Sequence, residues 1–134
     1  MTSALICIAS TAAAIQFIFY CRSALSSVRH AEVSGHVLNL AGLETRIPTS
    51  ADFERFAAFV EVCPEQECEG SQMRAVSVYY RLLGRSAGIL RGAPSVFSWI
   101  KREQQACSHF AAVVLDRRIS SSRNMLLQHA PNRS

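Results

Sequence analysis

The chain has 134 residues, of which 49% are hydrophobic and 18% charged, with 14 Lys and Arg against 10 Asp and Glu for a net charge of +4. Once an apolar N-terminal run is set aside, the length holds one small domain and not two. Five cysteines, Cys7, Cys21, Cys63, Cys68 and Cys107, are an odd number with two inside that run, which excludes a disulfide framework.

Ala4 to Cys21 is 18 residues without a charge. As a helix it covers about 27 Å, close to the ~30 Å hydrocarbon core of a bilayer. A cleavable signal peptide fits poorly, because Met1, Thr2 and Ser3 carry no positive charge and the run ends in the bulky Phe17, Ile18, Phe19 and Tyr20. A buried helix of a soluble domain is the other alternative, since Ser10, Thr11 and Gln16 temper the apolarity. The run reads as a retained transmembrane helix. Arg22 and Arg29 follow it and nothing basic precedes it, so the positive-inside rule places the N-terminus outside and the C-terminal side in the cytoplasm. In that reducing setting the thiols are small apolar side chains.

From Arg22 to Glu44, Leu25, Val28, Val33, Val37, Leu40 and Leu43 recur at roughly helical spacing, weakened at Gly35 and Gly42. One or two juxtamembrane helices are expected, the first continuous with the span. Ile47-Pro48-Thr49-Ser50 is a stop and restart, with Thr49 or Ser50 as the next cap and Asp52 and Glu54 in the first turn. Phe53, Phe56, Ala57, Val60 and Cys63 then line one helical face until Pro64, and residues 64–71 form an acidic turn. Met73, Val76, Tyr80, Leu83, Ala87 and Leu90 step by three or four, with Arg74, Arg81 and Arg85 on another side; a strand over Val76 to Leu83 is the competing assignment. Gly92-Ala93-Pro94 breaks the chain, and Pro94 suits the first position of a last helix carrying Val96, Ile100, Cys107, Phe110 and Val114. A fray or kink is expected at Ser120-Ser121-Ser122.

The pattern reads as all-α. It divides into a single N-terminal transmembrane helix (1–21), a juxtamembrane helical segment (22–48), a small cytoplasmic domain of three to four helices (49–130) and a disordered tail (131–134). Charge is uneven along it: up to Met73 four basic residues meet eight acidic ones, net −4, and from Arg74 onward ten basic residues meet Glu103 and Asp116, net +8. The plainer meaning is an acidic segment packing on a basic one within the domain; the alternative is a basic face for an anionic surface.

Few residues carry chemistry. Gly84-Arg85-Ser86-Ala87-Gly88 matches a nucleophile elbow by letter, with Asp116 and His129 in the order of a serine hydrolase, but the strand and the βα units that such an elbow needs are missing. Glycines at 84, 88 and 92 read more simply as a close-approach face for a neighbouring helix. Cys63 and Cys68 with Cys107 and His109 are ligand types for zinc, yet the last two point about 200° apart on a helix. A local Cys63–Cys68 disulfide in an exported domain is the other option for that pair. His30 and His36 read as solvated, and Tyr79, Tyr80 and Trp99 as core rather than base-stacking residues.

No catalytic residue, metal or cofactor is expected. The function expected is interaction or assembly at the membrane, with an enzyme or a basic nucleic-acid module as alternatives. The partners are the membrane and a protein or anionic lipid rather than nucleic acid. The binding residues belong to the basic half: Arg74, Arg81, Arg85, Lys101 and Arg102.

Overall fold

A computed structural model describes residues 1–40, 42, 49–63 and 67–129, with the side chains of 36, 40, 67 and 68 left aside. The stop at Ile47-Pro48, Pro64 and the tail 131–134 lie outside the described residues. The described chain is all-α: α1 (Thr2–Ser27), α2 (Gly35–Leu40), α3 (Phe53–Val62), α4 (Glu67–Ile89) and α5 (Pro94–His129).

α5 is the element on which the others pack. Phe110 to Leu115 are buried at every position, which a one-sided surface helix does not allow. The arrangement is met by neighbours on several sides: α3 and α4 pack along α5 most extensively, and α1 and α2 add smaller contacts. Phe56, Ile100, Phe110 and Leu115 are the largest fully buried side chains, joined by Val28, Val37 and Val76 from the other helices.

α1 has two parts. At 26 residues it is about 39 Å long, more than a hydrocarbon core requires. Up to Tyr20 every residue is exposed apart from a half-buried Phe17, and this part is long and apolar enough to cross a membrane. Beyond it, Cys21, Ala24, Leu25 and Val28 are buried, and with Phe17 they form the i, i+4, i+7, i+8, i+11 stripe of a packed helix face. The Cys21 thiol donates to the Ala75 carbonyl on α4 at 3.7 Å. The boundary drawn at Cys21 from the apolar run therefore falls inside a continuous helix whose last two turns belong to the core. Inside the apolar part, the Thr11 hydroxyl donates to the Cys7 carbonyl at 2.7 Å, so the helix satisfies its own polar side chain.

Several local expectations are corrected. The cap of α3 is Asp52, not Thr49 or Ser50. A turn from Thr49 to Asp52 precedes α3, and the Asp52 carboxylate folds back to accept from the Thr49 N–H at 2.8 Å and its hydroxyl at 2.7 Å. That is the return half of a capping box, one turn earlier than the apolar stripe implies. The acidic segment is helical from Glu67, and Glu69 in the first turn has the charge sign that the positive end of a helix dipole favours. α5 runs through Ser120–Ser122 to His129 without a break, because serine is only modestly worse than alanine in a helix. Gly42, with φ 70°, is a helix stop rather than a weak helical residue, its N–H closing on the Asn39 carbonyl at 2.9 Å. Gly84, Gly88 and Gly92 form no close-approach face: a Cβ at Gly84 would meet Gln104 at an ordinary 3.6 Å, and at the other two it would meet nothing.

One buried charge ties α3 to α5. Arg118 is 4% exposed and its Nη1 donates to the Val60 carbonyl at 2.8 Å and the Cys63 carbonyl at 3.4 Å. These carbonyls lie at the C-terminal end of α3, where the helix leaves acceptors unsatisfied and its dipole favours a cation.

Candidate functional site

Past the apolar run, the part of α1 that packs on the core carries charge beside the packed face. Arg22, Leu25 and Ser26, at i, i+3 and i+4, share one face of α1 with Arg29 in the turn just past the helix end, and Arg102, Gln105, Ala106 and His109, at i, i+3, i+4 and i+7, share a face of α5. Between the two faces lies an open cleft of about 410 Å³ lined by these eight residues and Glu103. Two cross-contacts tie this part of the chain to α5. Arg22 meets Glu103 at 3.8 Å, and Ser34, past the end of α1, donates its hydroxyl to Asp116 Oδ1 at 2.6 Å.

Glu103 is the acidic member of the cleft and is engaged from two sides. Its Oε2 accepts from the buried Tyr79 hydroxyl at 3.0 Å, and its Oε1 is the atom 3.8 Å from Arg22. Burial first, and then the Glu103 charge, push the Tyr79 phenol well above its ordinary value, which keeps it a hydroxyl donor. Tyr79 thereby holds the carboxylate in place. Arginine outnumbers glutamate in the lining by three to one, so the cleft carries a net positive charge.

A smaller depression of about 330 Å³ continues from it, lined by Thr49, Ser50, Ser98 and Lys101, with Arg102 and Gln105 shared between the two. Lys101 also places its ammonium 5.7 Å from the Phe97 ring centre. Of the residues singled out from sequence, Lys101 and Arg102 thus border clefts. Arg74, Arg81 and Arg85 lie exposed on α4 and line neither. Sequence reasoning did not single out Arg22, Arg29 and His109 as site residues, because their meeting depends on two distant stretches packing together.

The remaining motifs separate. Ser86 sits inside α4 with its hydroxyl donating to the Leu82 carbonyl at 2.9 Å, Asp116 accepts from Ser34, and His129 Nδ1 contacts the Met125 carbonyl at 2.9 Å. Cys63 is a free, half-buried thiol, and the side chain of Cys68 lies outside the described residues. Cys107 is fully buried while His109 faces the cleft, and among the described residues no three His, Cys, Asp or Glu side chains gather as a metal set. Tyr79 is core, as its helical spacing implied, and Tyr80 stacks on Phe53 with ring centres 4.2 Å apart while its hydroxyl donates to the Ser50 carbonyl at 2.6 Å; Trp99, expected in the core, is exposed near the start of α5.

No known protein family, curated protein or solved structure matches the chain.

Proposed function

We propose that the chain is a single-pass membrane protein whose helical domain is held against the cytoplasmic face of the bilayer, where it acts by interaction or assembly. One observation carries this reading. Leu5, Ile6, Ile8, Ile15, Ile18 and Phe19 are 40 to 70% exposed on a helix apolar on all sides, while the same helix ends in the domain core. Left in water, six such side chains forgo roughly 10 kcal/mol of transfer free energy, comparable to the whole stability of a small domain. A bilayer supplies the missing apolar environment.

Two further features support it. Arg22 and Arg29 stand just past the apolar run, which favours a cytoplasmic domain by the positive-inside rule. The second feature is the turn joining α4 to α5 with its flanks. That turn carries exposed Ile89, Leu90, Val96, Phe97 and Trp99, with Arg91 and Lys101 among them. Aromatic and basic side chains of this kind favour the water–lipid interface. Arg74, Arg81 and Arg85 would add long-range attraction to an anionic surface.

The test is alkaline carbonate extraction of membranes holding the full chain, combined with protease protection of sealed inside-in vesicles. Retention in the pellet with the C-terminal domain protected from external protease is expected. Release into the supernatant overturns the anchor, and digestion of the domain overturns its placement.

A further inference from the structure

Arg29 and Arg102 carry no ion pair among the described residues, and Arg22 approaches Glu103 only to 3.8 Å, beyond the ~3.2 Å of a good hydrogen bond. Three guanidinium groups with unspent donors therefore border one cleft. The single opposing carboxylate already accepts from Tyr79. A planar guanidinium fork matches paired oxygens on one acceptor, and phosphate offers several such pairs.

The position of the cleft narrows the source of that phosphate. Arg22 directly follows Cys21, the last residue of the apolar run, so a bilayer crossed by α1 puts its headgroups at the level of the cleft. Ile15, Ile18 and Phe19 precede Arg22 by seven, four and three residues, which places them on the helix face that continues into Leu25 and Ser26, with Arg29 in the turn just beyond. All three are exposed. A ligand with a phosphate head and apolar tails meets basic groups and an apolar track in the right order along one helix, whereas a free anion meets only partly solvated charge, which is weak.

We propose that the cleft between α1 and α5 binds the headgroup of an anionic phospholipid, its phosphate on Arg22, Arg29 and Arg102 and its acyl chains along Ile18 and Ile15. This deepens the membrane reading above and rests on α1 being a span. Bound in this way, the lipid fixes the domain against the bilayer by a second attachment, independent of the helix itself.

The full chain in mild detergent is titrated with phosphatidate, phosphatidylcholine or inorganic phosphate, and retained lipid is counted by native mass spectrometry. One phosphatidate per chain is expected, with phosphatidylcholine not retained and excess inorganic phosphate unable to displace it. Replacing Arg22, Arg29 and Arg102 by Gln should weaken phosphatidate about 100-fold, taking each basic contact as worth about fivefold. R29Q alone, at an exposed position, should cost about fivefold and leaves the fold no reason to change. The charge-matched triple R74Q/R81Q/R85Q should retain phosphatidate as the wild type does. Equal weakening in both triples, unchanged binding in R29Q and in the cleft triple, or displacement by inorganic phosphate would each overturn the proposal. A chain that resists carbonate yet ignores phosphatidate loses the lipid site and keeps the span.

Discussion

Replacing Arg118 by Met tests whether a buried cation holds α3 on α5. The side chain is 4% exposed and its Nη1 donates to two carbonyls at the end of α3, strongly to Val60 at 2.8 Å and weakly to Cys63 at 3.4 Å. Methionine fills a similar volume and removes both bonds. Val60 is buried, so its carbonyl is left without a ready water, while half-buried Cys63 is easier to hydrate. A charged hydrogen bond contributes about 1.5–3 kcal/mol, and an orphaned buried acceptor costs a similar amount. Against that, Arg118 Nε is buried without a hydrogen-bond partner among the described residues, and methionine relieves the desolvation of that cation. The balance is a loss of about 2 kcal/mol, or roughly 10 °C in melting temperature for a domain of this size. Circular dichroism melting of the full chain in detergent reads it, and hydrogen exchange should localise the loosening to the last turn of α3. A variant melting within about 2 °C of wild type would refute the reasoning, because it would mean desolvation cancels the cap.

Other outcomes follow from the same packing. Leu25→Ala, in the docked part of α1, should cost about 2–4 kcal/mol in thermal melting without releasing the protein in carbonate, since the lost contacts are in the core and not the bilayer. Trp99, the single tryptophan, should emit further to the blue in anionic vesicles than in detergent and be quenched by brominated acyl chains. Unchanged emission and no quenching would remove the interfacial turn from the account. Burial, then the Glu103 charge, push the Cys107 thiol from 9.0 up to about 12, so iodoacetamide at neutral pH should modify it only after unfolding. Its folded value being raised, the stability tied to the neutral thiol is full below about pH 9 and is lost as pH climbs toward about 12; C107A should flatten that alkaline decline.

The local elements were legible because each was written in a single stretch. The stripe Phe53, Phe56, Val60 marked α3, Pro94 opened α5 at its first position, and the uncharged run Ala4 to Cys21 marked the apolar half of α1. Less legible was whatever depended on two distant stretches meeting. Leu25 and Val28 looked like a juxtamembrane segment, and only contact with α4 and α5 makes them core. Arg22 and Arg29 served as topology charges, but a basic cleft needs Arg102, some eighty residues away, and nothing in the spacing of either set names the other. Arg118 gave no signal at all, because its role is set by carbonyls of another helix. The elbow letters at 84–88 misled in the opposite way: they match a turn, and their neighbours build a helix.

Hydrogen exchange along α1 of the full chain in lipid nanodiscs tests the central claim most directly. If one continuous helix is bilayer-embedded at its start and core-packed at its end, amides from Ile6 to Tyr20 should stay protected by lipid under conditions that unfold the domain. Those from Ala24 to Ser27 should exchange together with α4 and α5, as parts of one cooperative unit. Rapid exchange from Ile6 to Tyr20 in a nanodisc whose α4 and α5 remain protected would contradict the account, since it would place the apolar half of α1 in water.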